Sequence, residues 1–159
     1  MKEEKTIIHR IREDSTEATG YRRQIAALSA VGLLDFSLIS LFQLGFIRHM
    51  PDLPGKVFDT EKVNSSKDAV LLGMPDGVIS LGSYAATILL ATAATRYRKP
   101  SRMLDVAMAG VLVGQAAGAA QYLYKMAFVQ KKICIYCVAG AAINFASLLP
   151  LRQLFRRRD

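Results

Sequence analysis

The stretch KKICIYCVAG, Lys131 to Gly140, holds both cysteines of the chain, Cys134 and Cys137, three positions apart. Residues i and i+3 share one face of a helix, so this spacing can close a disulfide within one helical turn. The unsatisfied N–H groups at a helix start, with Lys131 and Lys132 just upstream, favour a thiolate and lower its pKa. A sulfur of low pKa is also the better leaving group in thiol–disulfide exchange. Other cysteine chemistries ask for residues that stand elsewhere. Haem attachment needs a histidine directly after the second cysteine, where Val138 sits, and a zinc site needs four ligands, while His9 and His49 are remote in sequence. No metal site is expected. Redox use is the favoured reading, with two unrelated buried cysteines as the alternative.

What the pair can do depends on where it lies. The 159 residues suffice for one domain, and the 52% apolar content is gathered into four blocks. These run from about Ile25 to Phe46, Pro75 to Ala94, Leu104 to Phe128 and Ile133 to Leu151. Each is roughly 18–25 residues, the length at which a helix crosses ~30 Å of hydrocarbon. The third, VAMAGVLVGQAAGAAQYLY, has almost no charge on any face, which a soluble bundle would require. The expected fold is therefore all-α, an integral membrane four-helix bundle. Its net charge of +8 is concentrated before the first block, between the second and third (Arg96, Arg98, Lys99, Arg102) and after the fourth. Those groups fall on one side of a four-span topology, which predicts N-in/C-in orientation with a long outer loop, about Ile47 to Met74, between spans one and two. Orientation accounts for the basic clusters, so no nucleic acid is expected as a partner. The chain divides into a charged cytoplasmic segment 1–23, a membrane domain 24–151 and a basic tail 152–159. The loop is expected to hold a short surface helix. Cys134 and Cys137 then lie at the outer end of span four, with Cys134 nearer water and more open to bulky reagents.

Polar residues at bilayer depth are costly and therefore informative. Asp35, Gln115 and Asn144 all fall near mid-span, where Asp35 and Asn144 can bond if their helices are neighbours. Gly110, Gly114 and Gly118 recur every fourth residue of span three, a pattern that lets helix backbones approach closely. Packing inside the bundle is the expectation, and a dimer interface the alternative.

With spans, loop and pair placed, the chain resembles the vitamin K epoxide reductase family over about Gln24 to Leu151. Three stretches carry the resemblance: VNSS (Val63 to Ser66), LLGMPDGVISLGSYA (Leu71 to Ala85) and CIYCVAGAAIN (Cys134 to Asn144). The first is similar to a hydrophobic-x-Ser-Ser segment in the family's outer loop, the second to its Phe-Gly-Ile-Pro lead into span two. The resemblance implies a membrane quinone, ubiquinone or menaquinone, as electron acceptor, with Cys137 facing it and Cys134 exchanging with incoming thiols. It further implies cofactor contacts at Asp76, Ser65, Ser66 and Asn144. Two departures stand out. The positions of the family's two loop cysteines are Asp52 and Thr60 here, and a ring-binding tyrosine four residues after the second cysteine is Ala141. The expected function is a membrane thiol–disulfide oxidoreductase, fed by a thioredoxin-like extracytoplasmic thiol protein and promoting disulfide formation, in a bacterial inner membrane. The other reading is a structural or accessory subunit of a larger membrane complex that keeps the fold without turnover.

Overall fold

The computed structural model describes residues 2–95 and 101–157. Four helices in it are long and apolar enough to cross a membrane: Glu17–Gln43, Asp76–Ala94, Arg102–Gln130 and Ile135–Arg156. A spanning segment must satisfy its own backbone hydrogen bonds, and these apolar blocks do so as helices. The basic residues Arg96, Arg98, Lys99 and Arg158 lie outside the described residues.

A short amphipathic helix α1 (Lys2–Glu13) leads into α2 (Glu17–Gln43). The link is capped twice: Thr16 accepts the Thr19 N–H at 3.4 Å, and Asp14 accepts the Thr16 N–H at 2.9 Å. Those caps start α2 eight residues ahead of the apolar block, so the boundary at 23/24 falls inside one continuous helix. They also carry Arg22 into the bundle. Its side chain is 2% exposed and ion-paired at 2.9 Å with Asp105, near the start of α5 (Arg102–Tyr124). Arg22 therefore anchors two helices, where the sequence suggested only an orientation charge.

Helix α2 packs along α4 (Asp76–Thr95) and α6 (Ile135–Arg156), and α5 closes the ring against α4 and α6. Ile25, Ala91, Met108, Leu112, Leu151 and Leu154 form the apolar core near the termini. Ile39, Met50, Val63, Met126, Cys134 and Cys137 form a second one beneath the long loop between α2 and α4.

That loop is irregular over residues 46–57 and then carries short elements. After Gly45, whose φ of +80° turns the chain off α2, it runs to the five-residue helix α3 (Thr60–Asn64), capped by the Asp59 side chain on the Lys62 N–H at 3.1 Å. A 3-10 turn (Lys67–Ala69) and a hairpin of β1 (Val70–Leu71) and β2 (Met74–Pro75) follow. Leu72 and Gly73 both have positive φ there, the geometry of a two-residue hairpin turn that matches strand twist. The hairpin delivers Asp76 to the first position of α4.

The glycines divide in a way the sequence did not show. A methyl group on Gly110, Gly114 or Gly118 would meet nothing within 4 Å, so this stripe is not a close helix contact. Gly32, Gly77 and Gly140 are tight positions: a Cβ on Gly32 would lie 2.5 Å from the Tyr84 ring, one on Gly77 would lie 2.7 Å from Gln43 Oε1, and one on Gly140 would strike Phe36. Gly32→Ala and Gly140→Ala should each destabilise by about 1–3 kcal/mol through overpacking. Gly114→Ala should be neutral or stabilising by up to about 1 kcal/mol through helix propensity. Thermal unfolding in detergent would check this, and equal effects at Gly114 and Gly140 would refute it.

Candidate functional site

Cys134 is the N-cap residue of α6, and its sulfur accepts the Cys137 N–H at 3.1 Å. The two cysteines are joined by a disulfide. A π-helical turn, Lys125–Gln130, ends α5 and brings Met126 Sδ to 3.2 Å from the Cys134 N–H. Lys131, at φ +50°, then reverses the chain into α6.

The long loop between α2 and α4 covers Cys134. Phe58 forms an isolated parallel bridge with Ile133, the Ile133 N–H donates to Val57 O at 2.8 Å, and the Asp59 N–H donates to Ile133 O at 3.1 Å. Lys132 donates to Lys56 O at 2.6 Å, and the Tyr136 hydroxyl to Pro51 O at 3.2 Å. Beneath this strap Cys134 is 0% exposed and Cys137 8% exposed. Both sulfurs are thus buried, Cys134 the more completely. Nearness to the membrane surface favoured Cys134, but a tertiary cover that spacing does not encode seals it.

Cys137 instead borders a cavity of about 500 Å³ between the helices. Its walls are Phe36 of α2, Asp76 and Tyr84 of α4, the Gly110, Gly114 and Gly118 stripe with Gln115 and Tyr122 of α5, and Ala141 and Asn144 of α6. The glycines open this space. Such a volume, mostly apolar with a few polar groups, suits a small-molecule site. Tyr84 donates to Asn144 Oδ1 at 2.8 Å, so Asn144 is bound to α4, and the anticipated link between Asn144 and Asp35 is not formed. Asp35 Oδ2 is buried with no hydrogen-bond partner. Gln43 locks the start of α4, donating to Asp76 Oδ1 at 2.6 Å and accepting the Gly77 N–H at 3.1 Å. Both amide atoms of Gln115 are buried and unpartnered, polar capacity left open in the cavity wall.

Ser65 and Ser66 do not line this cavity. Ser66 donates to Val63 O at 2.7 Å and accepts from Gln130 at 3.1 Å, which ties the loop to the end of α5. Asp68 joins the same tie, accepting from Lys125 at 3.0 Å and Gln130 at 3.2 Å. Those two bonds, the lysine's above all, hold its carboxyl below the usual range, so the tie persists until strong acid protonates it.

The residue between Val63 and the serines matters more than they do. Asn64, 4% exposed, donates to Cys134 Sγ at 3.2 Å and to Thr60 O at 2.9 Å. Sequence reasoning passed over it as the variable position of its motif. It also missed Tyr84 and Tyr122, although Val111, Gln115, Gly118 and Tyr122 recur at helical spacing and were legible as one face. Asp52 and Thr60, the positions matched to the family's loop cysteines, are neighbours in space: the Asp52 carboxylate accepts the Thr60 N–H at 2.6 Å. Among the described residues no group of three or more His, Cys, Asp or Glu could hold a metal ion.

Comparison with curated proteins finds no match. The model of the vitamin K epoxide reductase family matches residues 23–150, from within the first span to within the fourth, including the strapped loop and the cysteine pair beside the cavity. The chain belongs to the vitamin K epoxide reductase family, membrane thiol–disulfide oxidoreductases whose electron partners are quinones.

Proposed function

We propose that Cys134–Cys137 is a redox-active disulfide that takes an electron pair from a thioredoxin-like thiol protein at the outer face and passes it to a membrane quinone, promoting disulfide formation. One observation carries the reading: a single disulfide has one sulfur under the outer loop and the other on an apolar intramembrane cavity. A quinone, ubiquinone or menaquinone, accepts two electrons and two protons, which balances oxidation of one dithiol. The cavity fits such a ring, since its walls are mostly apolar and the Gln115 amide is unengaged. Gln115, Asp76, Tyr122 and the Tyr84–Asn144 pair are the groups available to its carbonyl oxygens. Without loop cysteines the partner's thiolate attacks Cys134 itself. The bond between Cys134 and Cys137 breaks, Cys137 leaves as thiolate, and the partner's second thiol then displaces Cys134. In the orientation proposed, both termini face the cytoplasm of a bacterial inner membrane.

Purified protein in liposomes with a short-chain ubiquinone should reduce it when given a dithiol, followed by quinone absorbance. Acid-quenched alkylation of native membranes should find both cysteines protected until reductant is added. Free alkylation of both, with no quinone reduction, would sink the proposal. The substitution of Asp52 and Thr60 for the loop cysteines favours the accessory-subunit reading, and that outcome would leave it standing.

Orientation has its own check. A cysteine placed at Arg98 in a chain lacking Cys134 and Cys137 should resist membrane-impermeant thiol reagents in intact cells, and label only after lysis. Labelling before lysis would invert the proposed topology.

A further inference from the structure

Resting on that reading, we propose that Asn64 is a positioning residue that holds the reduced pair's negative charge on Cys134, leaving Cys137 as the neutral thiol on the cavity. Among the described residues Cys134 Sγ accepts two N–H donors, Asn64 Nδ2 at 3.2 Å and the Cys137 backbone at 3.1 Å. Cys137 Sγ faces the other end of the same amide, with Asn64 Oδ1 at 3.8 Å. An amide oxygen cannot stabilise a thiolate but can accept from a thiol. One side chain therefore discriminates the two sulfurs by the polarity of its two ends, donor to Cys134 and acceptor to Cys137. Asn64 is held in that sense by its second donor bond, to Thr60 O at 2.9 Å.

The surroundings leave this to Asn64. Cys134 sits in an apolar cluster with Ile39, Met50, Val63 and Met126, where an unassisted thiolate would be disfavoured. Most ionisable groups on the neighbouring elements are engaged elsewhere: Asp76 accepts from Gln43, while Asp35 of α2, whose Oδ2 is buried without a hydrogen-bond partner, lies a turn further along α6, beside Gly140. Lys132 binds Lys56 O and lies 3.8 Å from Asp59, Asp52 holds the Thr60 N–H, and Glu61 holds the Met50 N–H and lies 3.3 Å from His49. Lys125 pairs with Asp68, the Tyr122 hydroxyl lies 3.4 Å from Val63 O, and Tyr136 binds Pro51 O. Lys131, adjacent in sequence, is exposed.

The consequence falls on release of the oxidised partner. When the partner's second thiolate attacks its own sulfur in the mixed disulfide, the electron pair of the breaking S–S bond goes to Cys134. A leaving sulfur already provided with two donors departs faster. Stabilising the reduced form also makes the pair a stronger oxidant.

The test uses the full-length protein in detergent, without quinone or partner. In a Cys137→Ser background, the pH midpoint of Cys134 alkylation is followed by mass spectrometry. In the two-cysteine chain, the disulfide is equilibrated against dithiothreitol. Asn64→Leu, of similar volume without a donor, should raise the alkylation midpoint by about one pH unit or more. It should shift the redox equilibrium about tenfold toward the disulfide. Asn64→Ala, a simple truncation, should move both readouts in the same direction and serves if the leucine variant fails to fold. A loosened loop would change alkylation rates at every pH without moving the midpoint. An unmoved midpoint and equilibrium in a folded variant would overturn the inference while leaving the redox pair intact. Absence of any reversible disulfide in the parent chain would instead overturn the proposed function.

Discussion

Cys134→Ala and Cys137→Ala should each bring quinone-coupled thiol oxidation down to background, and the double variant should be no worse than either. A disulfide takes up an electron pair by breaking one bond between two sulfurs, so the two residues act as a unit and their losses do not add. The variants part company in what they trap. Cys137→Ala leaves Cys134 on the loop side as a lone thiolate that can attack an oxidised partner's disulfide, breaking it and freeing the partner's second thiol. With no Cys137 to carry the exchange on, acid quenching and alkylation should capture the mixed disulfide. Cys134→Ala leaves only the sulfur that opens on the intramembrane cavity, and no protein adduct should form. Non-reducing electrophoresis with mass spectrometry of the adduct reads this directly. Because Cys134 is 0% exposed, the strap must shift first, and Tyr136→Phe, which removes the hydroxyl bonded to Pro51 O, should speed trapping. One hydrogen bond of ~0.5–1.5 kcal/mol corresponds to roughly two- to tenfold. Adducts on Cys137 in preference to Cys134 would overturn the assignment of Cys134 as the sulfur that exchanges with the partner.

Asp105→Leu should cost about 3–5 kcal/mol, the loss expected when one partner of a buried pair is removed and the other charge stays behind. Asp105 is 0% exposed and Arg22 2%, and the guanidinium donates to both carboxylate oxygens, at 2.9 and 3.2 Å. Arg22→Met combined with Asp105→Leu should recover most of that loss, because well-packed apolar side chains of similar volume often replace a buried pair at no net cost. Denaturant titration in mixed micelles measures both. A stability for Asp105→Leu equal to that of the parent chain would show that water or lipid headgroups reach Arg22 and solvate it. The pair lies beside the core near the termini, remote from the disulfide core, so the double variant should still form the disulfide.

Much of this architecture is written locally in the residues. Hydrocarbon offers the backbone no hydrogen bonds, so any apolar block of spanning length must be a helix, and four such blocks determine four spans. The cysteine pair is equally local: three residues of spacing at the head of the last block place both sulfurs on one helical turn. The inward faces are another matter. In water an amphipathic stripe marks the core, but lipid is as apolar as leucine and erases that mark, so the facing side of each span is chosen by packing alone. Hence the glycines of α5 read as a helix contact and proved to be a cavity wall, and Asn144 found Tyr84 instead of Asp35. Arg22 read as an orientation signal because its partner, Asp105, is 83 residues away. Cys134 read as exposed because the strap that covers it is built by hydrogen bonds between Lys56–Asp59 and Lys132–Ile133. Asn64 reaches Cys134 across 70 residues of chain. A side chain's own neighbours in sequence state its chemistry, whereas the group it will meet is settled only when distant backbones are brought within hydrogen-bond reach.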